Sequence, residues 1–323
     1  LPETVTILAE SAGFGVVPTG IEHGTVTVIA HGRPHEVTTF RRDIETDGRR
    51  AKVLFSTSVV EDAARRDFTM NALYAQADGT VLDPLGGLPD LKARRVRFVG
   101  DAGQRITEDY LRILRFFRFF AWYGDPALGL DAEGLAACAA NSAQIETLSR
   151  ERIGAEMRKL LSAPDPSVAV ASMAQSGVLA ATLPGADARA LPILVHLGAA
   201  HWLARLAVLG GAVETLRLSR SDLAQVTLIR EEIGRLRSAT ELGYRFGAEV
   251  AESVILCRSA MLETLPPPEW KADVLHGVGA TFPVLAADLM PGLQGKALGD
   301  RLRELEQRWI DSGLALTKAA LLG

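Results

Sequence analysis

Two arginines and a carboxylate stand side by side in the stretch EDAARRDFTMNALY, residues 61–74. An arginine guanidinium presents a planar fork of donors that suits phosphate and ribose oxygens, and a neighbouring carboxylate can hold that fork or accept from a sugar hydroxyl. Arg66 and Asp67 are therefore candidates for binding a nucleotide. A purely structural interpretation is also open, in which the cations complement the C-terminal end of a helix dipole.

A second charged group lies in EDYLRILRFFRF, residues 108–119. Asp109 and Arg112 stand three residues apart, so both would lie on one helical stripe. A carboxylate accepts from an exocyclic amino group while a guanidinium donates to a ring nitrogen or a carbonyl, and this pair could therefore read the edge of cytosine or adenine. Alternatively, Glu108 and Arg112 form an ordinary ion pair on a solvated helix face.

Metal chemistry on phosphates needs tightly clustered carboxylates, for which Asp-x-Asp is a compact arrangement, and none occurs in the sequence. Glu36 opens the strand EVTTF and is either a solvated strand-end residue or a metal-associated carboxylate. We interpret Asp43, Glu45 and Asp47 in RRDIETDGRR as part of a mobile charged loop, with a metal site as the alternative. The absence of GxxxxGK[ST] and of a strand-linked GxGxxG excludes P-loop and Rossmann sites.

The elements that must position these residues change along the chain. Residues 16–100 carry strand patterns, such as GTVTVIA, HEVTTF, AKVLFSTS and VRFV, together with a Gly- and Pro-rich loop at 83–91. From Thr107 onward, TEDYLRILRFFRFFAWYG predicts one helix with Thr107 as its cap. Almost everything after it is also helical, so the predicted fold class is α+β with a long helical extension.

Composition limits the class of protein. The 323 residues are 48% apolar with a net charge of −4, which fits two or more globular domains. The two cysteines, Cys138 and Cys257, have no disulfide or zinc spacing. No membrane span or signal segment is evident, so we expect a cytoplasmic protein. Because Leu1 opens a helix pattern already under way, we also expect the sequence to begin inside a domain.

Taken in order, six blocks resemble a bacterial tRNA nucleotidyltransferase, or CCA-adding enzyme, of class II, which includes the bacterial poly(A) polymerases. The blocks are PTGIEHGTVTV, EVTTFRRD followed by DGRR, EDAARRDFTMNALY, DPLGGLPDLKARRVRFVGD, RITEDYLRILRFFRF and SRERIGAEMRKLL. The C-terminal segment from FPVLAADL to ALTKAALL also resembles the end of the shorter proteobacterial members. The resemblance therefore covers nearly the whole chain.

The resemblance implies addition of C, C and A to the tRNA 3′ end, from CTP and ATP, with Mg²⁺ in the complete enzyme and without a nucleic-acid template. By position, the resemblance implies that Arg66, Asp67 and Asn71 contact the ribose and triphosphate. It implies that Asp109 and Arg112 read the base, that Glu108 orients them, and that Arg115 and Arg118 make further nucleotide contacts. It also implies that Glu36 is the third, catalytic acid and that Glu151, Arg152 and Glu156 form a structural brace behind the site.

The family's opening block, with its metal-binding Asp-x-Asp, is expected upstream of Leu1. The chain as given is therefore expected to bind nucleotide without catalysing transfer. The implied domains are an incomplete nucleotidyltransferase head of the polymerase beta-like type with a mixed β-sheet (1–105), a helical neck that selects the base and binds RNA (106–163), and a helical body and tail that hold tRNA (164–323).

Two alternative functions stay open. One is a bacterial poly(A) polymerase, although the chain has PTGIEHGTV where that group carries an LIGRRF-like element, and the other is a noncatalytic RNA-binding descendant.

Overall fold

A computed structural model describes residues 1–47 and 50–323, and for His23, 43–47 and 50–53 it describes the main chain alone. The chain divides into two compact units, Leu1–Pro184 and Gly185–Gly323. The first unit carries the strands and the second is built of helices. The predicted α+β class is confirmed.

The first unit contains three small antiparallel sheets, ordered β1-β2-β3, β4-β5 and β6-β7. The strands are β1 (Gly15–Gly20), β2 (Thr25–Ala30), β3 (Arg33–Thr38), β4 (Arg41–Asp47), β5 (Arg50–Phe55), β6 (Tyr74–Ala75) and β7 (Val81–Leu82). A two-residue turn joins β2 to β3, and both of its residues, His31 and Gly32, have the positive φ that such hairpins require.

Two sequence predictions in this region are wrong. Of the charged loop predicted for residues 41–50, residues 41–47 form strand β4 and residue 50 opens its antiparallel partner β5. Main-chain pairing between the two strands outweighs the low strand propensity of their charged residues. The strand predicted at VRFV is only an isolated bridge between Phe98 and Phe68.

Helices make up the rest of the first unit. They are α1 (Pro2–Ser11), α2 (Val59–Ala64), α3 (Leu88–Lys92), α4 (Ala102–Glu108), α5 (Leu111–Tyr123), α6 (Ala132–Ala140), α7 (Arg150–Leu161), α8 (Ser167–Gln175) and α9 (Val178–Thr182). Helix α3 occupies the end of the loop predicted at 83–91.

The single helix predicted from Thr107 is wrong, because α4 ends at Glu108 and α5 begins at Leu111. Asp109 has extended main-chain angles, φ −157° and ψ 106°. Its carboxylate accepts from the Leu111 N–H at 3.1 Å. An aspartate that bonds to nearby main-chain N–H groups favours a helix start over a helix interior, which explains the break. The predicted acid and guanidinium therefore lie across a helix junction.

A buried aromatic cluster fixes α5 against the segment that follows α2. The ring of Phe68 lies 5.0 Å from that of Phe98 and 4.8 Å from that of Phe119, measured between centroids. The Phe98 and Phe116 rings stack at 5.4 Å. Offset and tilted aromatic contacts of this kind add to the stabilisation from burial alone. The cluster therefore holds residues 67 and 115, which adjoin it, in a fixed relation.

The second unit contains α10 (Leu191–His196), α11 (Trp202–Leu209), α12 (Arg220–Ile233), α13 (Ala239–Met261), α14 (Trp270–Gly279), α15 (Gly295–Asp311) and α16 (Lys318–Leu322). Helices α13 and α14 touch through their main chains at two glycines. A Cβ on Gly243 would lie 2.3 Å from the Val274 carbonyl oxygen, and one on Gly277 would lie 2.0 Å from that of Thr240. Across the described ranges, 1–47 and 50–323, every helix is too short or too polar to span a lipid bilayer.

Candidate functional site

A cavity of about 690 Å³ opens in the first unit. Most of the residues selected from the sequence meet there. Glu36 reaches it from β3, Arg66, Asp67 and Asn71 from the segment after α2, and Asp109, Arg112 and Arg115 from the junction and first turns of α5. These residues span nearly 80 positions of sequence, so the fold assembles the cavity from separate segments.

Asp67 is buried, at 5% exposure, and its carboxylate is surrounded by donors. Arg115 donates to Oδ2 through Nε at 2.6 Å, and its Nη2 lies 2.5 Å from the same oxygen in an ion pair. Asn71 Nδ2 donates to Oδ1 at 3.0 Å, and the Phe68 N–H donates to the same oxygen at 3.1 Å. Asp67 therefore orients Arg115 and Asn71, and the Arg115 side chain stays 30% exposed on the cavity side.

Asp62, only 2% exposed, anchors both arginines of the Arg65–Arg66 pair. Arg65 donates to Oδ1 through Nε at 2.9 Å and Nη2 at 2.7 Å. Arg66 donates to Oδ2 through Nη2 at 3.1 Å, and the Tyr74 hydroxyl donates to the same oxygen at 2.7 Å. Arg66 also donates through Nη1 to the Asn71 carbonyl at 3.1 Å. Sequence reasoning missed Asp62, although its spacing of three and four residues before the arginines is the helical ion-pair spacing.

The protonation states in this cluster follow from its contacts. Burial alone would raise the pKa of Asp62, but hydrogen bonds from Tyr74, Arg65 and Arg66 and the charge of Arg65 bring it below its ordinary value. Burial and the hydrogen bond to Asp62 raise the pKa of Tyr74 to about 12. Around neutral pH, Asp62 is thus a carboxylate, Tyr74 a neutral donor and Arg66 a cation.

Asp109 is held by donors from two helices. Its Oδ1 accepts from the Leu111 N–H of α5, and its Oδ2 accepts from Arg152 Nη2 of α7 at 2.6 Å. Arg152 itself lines the cavity, so the structure does not place it behind the site as the resemblance implied. The Asp109 carboxylate thus faces the cavity with both oxygens engaged.

Arg112 is restrained by three acceptors. Its Nη1 donates to the Glu108 carboxylate and to the Arg105 carbonyl, the latter at 2.8 Å. Its Nη2 donates to the Arg65 carbonyl at 3.2 Å, which ties α5 to the end of α2. Glu108 also pairs with the Arg105 guanidinium at 2.8 Å and does not line the cavity. Its contacts orient Arg112.

Arg118 is not brought to the cavity lining. Its Nε donates to Glu156 of α7 at 2.5 Å, and its guanidinium lies 4.7 Å from the centroid of the Phe119 ring. Its side chain is only 13% exposed. These contacts join α5 to α7, as the bracing role implied for Glu156 requires.

Carboxylates suited to a metal ion are not grouped in the described part of the chain. Among the side chains that the structure describes, no three His, Cys, Asp or Glu groups are close enough together to hold a metal ion. Glu36 is an exposed strand residue on the cavity wall. The side chains of Asp43, Glu45 and Asp47, the alternative metal site, lie outside the described residues.

Two family models match the chain. The Poly A polymerase head domain matches residues 2–97, and the "Probable RNA and SrmB- binding site of polymerase A" matches residues 128–189. The human CCA tRNA nucleotidyltransferase 1, mitochondrial, is 45% identical over 161 residues, which is 50% of this chain and 37% of the human protein. The chain therefore spans well under half the length of this relative.

Solved structures extend the likeness to nearly the whole chain. A crystal structure of the Bacillus stearothermophilus CCA-adding enzyme in complex with CTP has a TM-score of 0.75 and 27% identity, and it covers 97% of this chain and 82% of that one. The Thermotoga maritima CCA-adding enzyme complexed with tRNA has a TM-score of 0.68 at 16% identity, with 99% and 82% coverage, and shows a shared fold. The chain is thus similar to the CCA-adding enzymes: the Poly A polymerase head domain model matches residues 2–97, and the fold of those enzymes extends across nearly all of its length.

Proposed function

We propose that this chain belongs to an enzyme that adds C, C and A to the 3′ end of tRNA, taking CTP and ATP as substrates and choosing between bases with protein side chains. The observation that carries the proposal is that Asp109 and Arg112, three residues apart at the helix junction, both line the cavity. Each is held by its own partners, Arg152 and Glu108, so the acceptor and the donor are positioned before a nucleotide arrives.

An acceptor beside a donor suits cytosine and adenine. Both bases carry an exocyclic amino group next to a ring-nitrogen acceptor, so the amino group faces Asp109 and the ring nitrogen faces Arg112. Uracil and guanine present a carbonyl oxygen where the amino group would be, and a carboxylate repels it. A paired contact of this kind contributes about 1–3 kcal/mol of discrimination against the wrong base.

The phosphates and the ribose are the proposed ligands of Arg66, Arg115 and Asn71, which also line the cavity. Arg66 is anchored by Asp62, and Arg115 is anchored by Asp67. Both guanidiniums are therefore already oriented before a substrate binds. Charge-assisted bonds from such oriented donors are the stronger kind. Asn71 lies between these groups and is proposed to contact the ribose together with Asp67.

Magnesium belongs to the complete reaction, in which the tRNA 3′-hydroxyl attacks the α-phosphate and pyrophosphate leaves. The side chains that the structure describes do not fit such an ion, because they include no suitable carboxylate cluster. We therefore assign nucleotide binding and base choice to this chain. Glu36, on the cavity wall, is proposed as the catalytic acid that this chain contributes.

We also propose the domain division expected from the sequence, with a head at 1–105, a neck at 106–163 and a body and tail at 164–323. The neck, body and tail would hold tRNA by its shape and backbone. A cytoplasmic location is proposed too. Arg118, which is enclosed by Glu156 and Phe119, is assigned to bracing the neck rather than to nucleotide contact.

Two measurements test the function. Calorimetric titration of the chain with each of the four nucleoside triphosphates should give tighter binding of CTP and ATP than of UTP and GTP. A chimera carrying the Asp-x-Asp segment of a CCA-adding enzyme ahead of Leu1 should then add C, C and A to tRNA that lacks them. Addition of a run of A alone would favour a poly(A) polymerase, and binding without turnover would favour a noncatalytic RNA-binding protein.

A further inference from the structure

Arg152 occupies a position that its own helix does not explain. It lies in the first turn of α7, Arg150–Leu161, where the helix dipole favours anions over cations. The side chain nevertheless extends to the cavity, and its Nη2 donates to Asp109 Oδ2 at 2.6 Å across 43 residues of sequence. The contact that accounts for this arginine is therefore the one with Asp109.

Asp109 depends on that contact for its direction. Its Oδ1 accepts one hydrogen bond, from the Leu111 N–H. With only that hydrogen bond, the carboxylate could still rotate, unless Oδ2 is also held. The Arg152 bond supplies the second point and fixes the plane of the group. The lone pairs left on the two oxygens then point in one direction, which is the condition for reading the amino group of a base.

The arrangement is symmetrical with that of Arg112, whose donors are directed by Glu108. One partner orients the base-reading cation and the other orients the base-reading acid. The two partners come from different helices, α4 and α7, so each half of the reading pair is set independently.

We propose that Arg152 is a positioning residue for base selectivity, acting through Asp109 to make the site prefer bases that carry an exocyclic amino group. The inference rests on the proposed function, because it assumes that Asp109 reads the base. Arg152 is thus expected to affect the preference among nucleotides and to leave the affinity for the triphosphate unchanged.

The pair can be broken without unfolding the chain. The side chains of Arg152 and Asp109 are 28% and 26% exposed, and ion pairs that are partly solvated contribute little to stability. Arg152→Met keeps the length and the apolar stem of the side chain while removing its charge and its donors. Arg152→Lys keeps the charge and loses the fork. Arg150→Met, in the same helix turn but away from the cavity lining, is the matched control.

The test is calorimetric titration of the full chain and its variants with CTP, ATP, UTP and GTP, and with inorganic triphosphate. We expect Arg152→Met to reduce the preference for CTP and ATP over UTP and GTP by roughly three- to thirtyfold, the range for residues coupled in one network. In Arg152→Met, the affinity for inorganic triphosphate should stay within about twofold of that of the unmodified chain. The base preference of Arg152→Lys should fall between those of Arg152→Met and the unmodified chain. Arg150→Met should behave as the unmodified chain.

Two other results overturn the inference. An unchanged preference in Arg152→Met would show that Asp109 is directed without it. An equal loss for all four nucleotides and for triphosphate would show that Arg152 binds phosphate or supports the fold. A lack of any base preference in the unmodified chain would instead contradict the proposed function itself, so the two failures are distinguishable.

Discussion

Arg115 forms an ion pair with one carboxylate oxygen of Asp67, a residue 48 positions earlier in the chain, and donates to that oxygen through Nε. The two members of this pair are followed directly by Phe68 and Phe116, which belong to the same buried aromatic cluster. The core therefore sets the distance between the segments, and the ion pair fixes the orientation of the side chains at the cavity.

Removing the charge of Arg115 should destabilise the fold. In Arg115→Met, the buried carboxylate of Asp67 keeps Asn71 and the Phe68 N–H but loses its charged partner. We expect the free energy of unfolding in urea to fall by about 1–3 kcal/mol. Arg95→Met, at an exposed position, is the control and should change it by less than about 0.5 kcal/mol. Equal stabilities for the two variants would show that the pair does not support the fold.

Arg66→Ala should weaken the binding of all nucleotides alike. Arg66 is assigned to the phosphates, which every nucleoside triphosphate shares, and charge-assisted hydrogen bonds contribute about 1.5–3 kcal/mol each. Titration should therefore show an affinity loss on the order of ten- to hundredfold for CTP, ATP, UTP and GTP. A loss confined to some bases would contradict the assignment.

Asp62→Asn should reproduce part of the affinity loss expected for Arg66→Ala, although Arg66 itself is not substituted. The amide is the same size as the carboxylate but carries no charge, so both arginines of the pair lose their common anchor. We expect all four nucleotides to bind more weakly, by about three- to thirtyfold. If affinities stayed at the level of the unmodified chain, the arginines would be oriented by their other contacts.

Much of this site could be predicted from sequence and part of it could not. The candidate acids and arginines were visible because their types suit nucleotide chemistry, and Glu36 was predicted to lie in a strand, as it does in β3. Asp109 was selected as a candidate, although the sequence predicted one continuous helix where the structure has α4 and α5. Periodicity does not reveal an aspartate that starts a new helix.

Contacts between distant segments were the part that sequence could not supply. The bonds of Arg152 to Asp109 and of Arg112 to the Arg65 carbonyl each cross more than 40 residues, and spacing rules describe only neighbours on one element. Strand β4 was missed for the same reason, although AKVLFSTS predicted most of its partner β5, since strand pairing depends on a partner as much as on local propensity.

Tyr74→Phe should change how stability responds to alkaline pH. The pKa of Tyr74 is about 12 in the fold, above its ordinary value of 10, so the folded chain keeps this proton longer than the unfolded chain does. The contribution of Tyr74 is therefore present below pH 10 and is lost as the pH rises through 12.

Near neutral pH we expect the phenylalanine variant to be less stable by about 0.5–1.5 kcal/mol, since it lacks the hydrogen bond to Asp62. The difference in unfolding free energy should shrink as the pH rises from 10 to 12. Tyr244→Phe tests the same effect in the second unit, where burial and a hydrogen bond to Glu306 also raise the tyrosine pKa to about 12. A difference that stays constant from pH 7 to 12 would contradict the Tyr74 prediction.

Asp109→Ala should blur the choice of base more than it weakens the binding of triphosphate. Without the carboxylate, the amino group of cytosine or adenine loses its acceptor, and the carbonyl of uracil or guanine loses its repulsion. A paired base contact contributes about 1–3 kcal/mol, so the preference for CTP and ATP should fall by about five- to hundredfold in titrations. Because the Asp109 carboxylate also accepts from the Leu111 N–H at the start of α5, Asp101→Ala, which removes a similar bond at the start of α4, is the control for the loss of such a bond. Asp101→Ala should lower stability by about 1 kcal/mol and leave the preference intact. A preference that survives in Asp109→Ala would remove this residue from base reading and, with it, the role proposed for Arg152.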